Sequence, residues 1–352
     1  MPDWSSSMQQ TFEYYIVDPG TWTDSKRLTT VKNSTINRDS TVETLGSATI
    51  DVVDALGECY VRIYLITIQN GIREKHPLGT FLVQTPSSSY DGKVRTVSMD
   101  AYTPLLELKE NPPPIGYSIF KNANIMDNAY MIVRDHVRAP VISTSNDEKL
   151  YNDFVANTND TWITFVRDLI SNAKHELALD EMGRVLFAPV QKIETLQPVW
   201  TYTDDNSSIL YSEVTVDHDL YGIPNVVEVI YSSGGNSFYS RVVNDDENSP
   251  ISTVNRGREI VHRVINPEMT AMPSQNQIDL YAKDLLKALS TVEYTVSYTH
   301  GYCPVRLGDC VRLNYTRAGL NGVKAKVISQ SIKCESGCPV TEKAACTVEL
   351  WG

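Results

Sequence analysis

Five of the six cysteines in this chain of 352 residues fall between positions 303 and 346. Cys303, Cys310, Cys334, Cys338 and Cys346 are separated by 6, 23, 3 and 7 residues. Three chemistries compete for them. Tetrahedral Zn²⁺ or an iron–sulfur cluster takes four soft thiolates brought to one point by strand ends and tight turns. Cys303, Cys310, Cys334 and Cys346 would supply that set, with Cys338 as the alternative to Cys346. Disulfides are the second reading, because Cys334 and Cys346 bracket a hairpin loop and an extracellular particle would let them oxidise. Separate buried thiols are the third. That suits Cys310 better than Cys338, whose turn ESGCP is polar and would expose a free thiol. The spacing is not a CxxC…CxxC ribbon, so it leaves all three open.

Two other groupings could do chemistry. His300 and Cys303 have the residue types of a cysteine–histidine nucleophile, but Gly301 separates them and nothing nearby in sequence orients the imidazole. Asp217-His218-Asp219 would make a base if both carboxylates reached the histidine. In a strand they point to the opposite face, so decoration of a strand is the better reading. No nucleophile elbow, phosphate-cradling glycine loop or HExxH helix occurs. Catalytic residues are therefore not assigned.

The elements that would position these groups are mostly strands. Residues 12 to 100 form short runs such as SATIDVVD and CYVRIYLITIQN, alternating apolar and polar residues and punctuated by Asp-Pro-Gly, Leu-Gly and Asp-Gly. Ser87 to Asp91 with Gly92 reads as a hairpin tip. Cys59 reads as a small buried apolar residue of its strand. Pro112 to Pro114 mark a linker. Ile125, Ala129, Ile132 and Val133 have helical spacing. A second helix, capped by Asn159 or Asp160, carries Ile163, Val166, Leu169, Ile170 and Ala173 through to HEL. A hairpin turning at Glu181-Met182-Gly183 follows. Residues 201 to 234 return to strand, and the polar stretch from Ser233 to Val261 reads as a surface excursion. Ser274 caps a helix whose Ile278, Ala282, Leu285 and Leu289 face inward. Four strands close the chain: EYTVSYTH, CVRLNYT, VKAKVISQSIKC and CTVELW. The fold class expected is α+β, mainly β.

Composition narrows function further. The formal net charge is −12, from 43 acids against 31 Lys and Arg. A nucleic-acid-binding face needs a basic stripe, which this balance disfavours. No apolar run approaches the ~20 residues of a membrane span. The first residues lack the basic and apolar regions of a signal peptide, so synthesis in the cytoplasm is expected.

The order of segments resembles the tail hub proteins of tailed bacteriophages: the baseplate hub of contractile tails and the amino-terminal hub region of siphophage tail-associated proteins. The resemblance rests on INRDSTVETLGSATIDVVD, HPLGTFLVQTPSSSYDGKVRTVSMDAYTPLLELKE, NANIMDNAYMIVRDHV, DTWITFVRDLISNAKHELALDEMGRVLFAP, YGIPNVVEVIYSS and RLGDCVRLNY, in that order along most of the chain. It implies two β-barrels of the tail-tube type with inserted α/β modules. Mapped here, the first barrel is 1–105 and the second is 196–232 with 288–352, the Cys-rich end. The α/β module 106–195 and the insertion 233–287 lie outside the ring. It also implies a structural, non-enzymatic homotrimer in the virion, at the tail tip or baseplate, whose six barrels make a ring that DNA passes without specific binding. Partners would be the tail tube or distal tail protein, a tape-measure protein, and a fibre or spike. A lambdoid tail-tip protein of similar role carries an iron–sulfur cluster on carboxy-terminal cysteines, which adds to the metal reading here. Many siphophage relatives continue into a peptidoglycan-cleaving or receptor-binding domain, whereas this sequence ends at VELWG. The alternatives are a tail-associated cell-wall hydrolase and a module that binds host-surface glycans.

Overall fold

The computed structural model describes residues 2–90, 92, 95–205, 208–217, 220–233, 235–267 and 273–351. His218 and Asp219 lie outside them, so the candidate acid–histidine triplet is described only at Asp217. The chain divides into two units. One comprises Met1–Val214 and Ser297–Ala344, the other Thr215–Val296 and Ala345–Gly352.

The first unit opens with β1 (Gln9–Val17), β2 (Asp24–Leu28), β3 (Val31–Asp39), β4 (Gly46–Val52), β5 (Cys59–Gln69), β6 (Ile72–Tyr90) and β7 (Arg95–Tyr102). Their alternation is regular because one face is buried. In β4, Ala48, Ile50 and Val52 go inward and their neighbours do not. The serine run after Pro86 does not turn the chain. It stays in β6, paired with β7 as far as Tyr90 opposite Arg95, so any tip lies beyond Tyr90; Asp91 is outside the described residues. Continued ladder pairing here outweighs the turn preference of serine. Cys59 is half-buried at the start of β5, because it sits at the strand's mouth.

A small α/β module follows: α1 (Leu106–Lys109), β8 (Ser118–Ile119), α2 (Ile125–His136), β9 (Phe154–Val155), α3 (Trp162–Ser171), β10 (His175–Leu179) and β11 (Val185–Pro189). The cap of α3 is Thr161, in a capping box with Thr164. Asp160 is not available, since its carboxylate accepts the Asn157 N–H at 2.7 Å. The helix stops at Ser171, earlier than its apolar stripe suggests. Lys174 takes a left-handed φ of 56°, and HEL enters β10 opposite β11.

The module is bolted to the strands at one turn. Arg62 of β5 is 1% exposed. It donates to the carbonyls of Trp22 and Met182 and pairs with Asp24 at 2.9 Å. The Trp22 indole N–H reaches the same Met182 carbonyl at 2.7 Å. Gly183, at φ 77°, lets the turn press on Thr80: a Cβ there would lie 2.7 Å from the Thr80 Cβ. Trp22, Tyr60 and Leu82 therefore share one core with the apolar faces of α2 and α3.

The remaining elements are β12 (Trp200–Thr203), β13 (Leu210–Asp217), β14 (Val226–Ser233), β15 (Asn236–Val243), α4 (Thr253–Arg256), β16 (Val261–Ile265), α5 (Gln275–Leu289), β17 (Thr291–Gly301), β18 (Cys310–Tyr315), β19 (Leu320–Lys333) and β20 (Pro339–Glu349). In the second unit the polar stretch after Ser233 is no loose excursion. It supplies β15 and β16, which flank β14 in a three-stranded sheet. Its charges make a ladder: Glu228 holds Arg263 at 2.7 Å and Arg241 at 3.4 Å. Val227 and Val229 pack instead on Ile278, Ala282 and Leu286 of α5, with Leu285 and Leu289 at the margin. Ser274 caps α5 in a box with Gln277.

The large sheet runs β13-β17-β20-β19-β3-β4-β7-β6-β5-β1-β2, with β18 on β19 and β12 on β18 off the path. The fold is α+β and mainly β, as expected. The described strands do not close into barrels: the path ends at β2, a five-residue edge strand whose DSKR is charged and polar. What joins the early and late strands is the antiparallel pair β3–β19, with Ile36 opposite Ile332 and Arg38 opposite Gln330.

Candidate functional site: a buried polar seam

Beside that pair lies the densest buried chemistry of the chain, all in the first unit. β17 alternates so that Tyr298 and His300 point inward. β20 does the same for Val340, Glu342 and Ala344. His300 and Glu342 are both fully buried, with Nε2 and Oε1 3.3 Å apart. Glu342 accepts from Tyr298 at 2.7 Å, Gln330 at 2.6 Å and Tyr202 at 3.3 Å. Gln330 also donates to the Val305 carbonyl and accepts from Arg38 at 2.9 Å. Arg38 goes on to the Leu78 carbonyl of β6 at 2.7 Å. One chain of hydrogen bonds thus links β12, β17, β20, β19, β3 and β6.

The charges follow from these partners. Burial by itself lowers the pKa of His300, but hydrogen bonds to Cys303 and Glu342 and the Glu342 charge outweigh it and raise it to about 10. Burial would raise the pKa of Glu342; the hydrogen bond and charge of His300, with Gln330 and Tyr298, hold it below the usual value. The pair is an ion pair. His300 Nδ1 is 2.6 Å from the Gly301 carbonyl and Nε2 faces Tyr202 and Glu342, so both N–H groups have acceptors.

This arrangement removes the cysteine–histidine nucleophile. The imidazole is oriented after all, by Gly301 and Glu342, but as a cation with no lone pair to offer. Cys303 lies 3.9 Å from Nδ1 and 3.3 Å from the Tyr202 hydroxyl, and is 2% exposed. A satisfied buried network sets strand register instead.

None of the six cysteines is in a disulfide, and Cys334 and Cys338 are neighbours of each other and of Tyr14. Cys310, on β18, leans on the Val311 carbonyl at 3.7 Å. Cys334 follows β19, where burial pushes its thiol up to about 11. Cys338 is fully buried and not exposed as its polar turn suggests. A left-handed φ of 41°, after Gly337 at 82°, takes it inward. Cys346 is buried in the second unit, where its interaction with Tyr294 helps raise the tyrosine's pKa. Among the described residues no group of three or more His, Cys, Asp or Glu is placed to hold a metal ion.

Sequence reasoning missed Tyr202, Gln330, Glu342 and Arg38. A signal was there: in TVEYTVSYTHG the period of two puts Tyr298 and His300 on the same face as Val296. A histidine in an inward register requires a partner, and PVTEKAACTVE puts a glutamate in an inward register too.

The fold is that of phage tail proteins. The chain is similar to the tail protein from Neisseria meningitidis MC58, with a TM-score of 0.63, 12% identity, and coverage of 96% of this chain and 97% of that one. It is similar to the 43 kDa tail protein of prophage MuSo2 from Shewanella oneidensis, with a TM-score of 0.62, 12% identity, and coverage of 97% and 99%. It also matches an E. coli component of the type VI secretion system that exhibits structural similarity to the T4 tail proteins gp27 and gp5. There the TM-score is 0.50 at 8% identity, covering 92% of this chain and 76% of that one. No protein-family model matches the chain, and no curated protein matches it in sequence.

Proposed function

We propose that this chain is a structural tail hub of a bacteriophage or phage-like particle. The observation that carries the reading is an end-to-end likeness, over at least 96% of both chains, to two phage tail proteins. In this reading three copies form a ring of pseudo-six-fold symmetry. Residues 1–105 supply one half of each copy's contribution, and 196–232 with 288–352 the other. The module 106–195 and the insertion 233–287 stand outside. The ring joins the tail tube or distal tail protein to a fibre or spike, meets the tape-measure protein inside, and lets DNA through. The protein is made in the host cytoplasm and resides at the tip or baseplate of the virion. It performs no catalysis. The buried seam supports this role, because it spends a histidine, a glutamate and a thiol where no substrate reaches them.

Light scattering on the purified chain tests the reading. A mass near three times 39.4 kDa, with three-fold particles by electron microscopy, is expected. A monomer at all concentrations up to about 100 μM would reject the trimer, since weaker association falls short of a lasting interface.

A further inference from the structure

The turn that joins β19 to β20 holds two thiols, and the seam fixes how they face. Gln330 of β19 donates to Glu342 of β20 at 2.6 Å. Side chains two residues apart on a strand share a face. Two such steps from that pair toward the turn reach Ile332 with Val340, and then Cys334 with Cys338. Burial follows the same steps. Gln330, Ile332 and Cys334 go inward on one side and Glu342, Val340 and Cys338 on the other, while Lys333 and Thr341 are exposed.

Backbone bonds hold the two cysteines at the neck of the turn. Cys334 gives its N–H to the Ser34 carbonyl of β3 at 2.9 Å. β19 lies between β3 and β20, so that N–H turns away from β20. In an antiparallel ladder, residues turned away in this manner form the closer kind of cross-strand pair, with Cα atoms about 4.5 Å apart. A disulfide spans Cα separations of about 4.4–6.8 Å. Cys338 gives its N–H to the Glu335 carbonyl at 2.9 Å, which closes the turn, and left-handed Gly337 and Cys338 aim its side chain inward. Burial raises the pKa of both thiols, against the nearby Arg38 charge, so the pair reacts through opening of the turn.

We propose that Cys334 and Cys338 are a disulfide-forming pair, open in a reducing cytoplasm and closed in an oxidising exterior. The bond ties β20 to β19 beside β3. Only its setting rests on the tail-hub reading above. The bond is tested on the purified chain, so it can fail while the trimer holds, or hold while the trimer fails. The oxidant is a small organic disulfide such as oxidised glutathione. One protein thiolate attacks it, forming a mixed disulfide and releasing one small thiolate. The other protein thiolate attacks the protein sulfur of that mixed disulfide, forming the Cys334–Cys338 bond and releasing the second. Two electrons pass from the protein sulfurs to the small disulfide, and the two thiol protons end on the two small thiols.

The native chain is incubated with oxidised glutathione, its remaining thiols are alkylated, and tryptic peptides are weighed. Cleavage after Lys333 and Lys343 gives CESGCPVTEK, residues 334–343, which holds both cysteines and no other. This peptide is expected unalkylated and lighter by two hydrogens. Oxidation should also raise the melting temperature by about 2–5 °C, reversibly with dithiothreitol. Cys338→Ala and, separately, Cys334→Ser should abolish that shift, and Cys310→Ala should leave it. A fully alkylated 334–343 peptide, glutathione left on it, or a link to AACTVELWG through Cys346 overturns the pairing. So does a thermal shift that survives in Cys338→Ala or Cys334→Ser, or zinc or iron held by these thiols in the purified protein.

Discussion

Glu342 takes four donors on two oxygens while fully buried, and that makes it the residue on which the seam depends. Removing one partner of a buried pair strands the other, at about 3–5 kcal/mol. Glu342→Leu should lower stability by that amount in denaturant titration, whereas Cys303→Ala should cost no more than about 1–2 kcal/mol. The pH dependence has a definite sign. The folded pKa of His300 lies above its ordinary 6.5, so its contribution is complete below pH 6.5 and fades as pH rises toward about 10. That of Glu342 lies below 4.5, so its contribution is complete above pH 4.5 and fades as pH falls further. The pair therefore stabilises most between those two values, and His300→Gln should flatten the decline between pH 6.5 and 10. If that slope persists in the variant, the ion pair is not its source. The thiols carry a matching expectation. If Cys303, Cys310, Cys334 and Cys346 hold zinc or an iron–sulfur cluster, a chelator should lower the melting transition, and retained metal or absorbance between roughly 300 and 450 nm should accompany the purified protein; a colourless, metal-free folded protein would reject that reading. Cysteine spacing alone could not decide this, because the ligand geometry depends on which face each strand turns inward. Cys338 shows why: a left-handed residue after Gly337 reverses the side-chain direction that its polar neighbours suggest.

Elements were more legible than sites. α2 and α5 declare themselves through periodicity and caps, since an apolar stripe at helical spacing has one way to be buried. The end of α3 is misread because the stripe runs on through Ala173, while the chain stops the helix with a left-handed Lys174 and hands HEL to β10. The strands β15 and β16 are misread because their outward faces carry paired charges that look like loop composition. Long-range contacts leave no local trace at all. Nothing near Arg62 in sequence announces that it will hold the Met182 carbonyl, 120 positions away. That contact makes a prediction about the α/β module. Gly183→Ala forces a Cβ against Thr80 in a backbone conformation unfavourable for alanine. Arg62→Met takes the donor from the Trp22 carbonyl and leaves Asp24 to Tyr64 and Lys75 and the Met182 carbonyl to the Trp22 indole. Each should cost about 2–4 kcal/mol, and limited proteolysis should then cut within 106–195 first. At α5, Ser274→Ala should cost only about 1 kcal/mol, the usual worth of a cap. Equal losses at both places would mean that the turn is not the fastening it looks to be.

At the scale of the whole molecule, charge is the property that bears on conduction. Each chain carries −12, so the proposed trimer would carry −36, a surplus that disfavours adhesion to DNA. Binding to a duplex releases counterions in proportion to the basic contacts made, so it is strongest at low salt. The demanding condition is therefore about 50 mM salt, where even a few clustered Lys or Arg would register. Under that condition the protein should not retard double-stranded DNA of any sequence in a gel. Retardation that disappears by about 200 mM would instead reveal a basic face hidden within the acidic total. A ring that grips its cargo would slow it, so such a face would argue for anchoring DNA over conducting it. The order of segments along the chain suggests the hub architecture, and the fold likeness at 12% identity is to a phage tail protein. Neither speaks to the inner surface of a ring, because like charges act through their sum in space. The retardation assay reads that sum directly, without first identifying which residues line the passage.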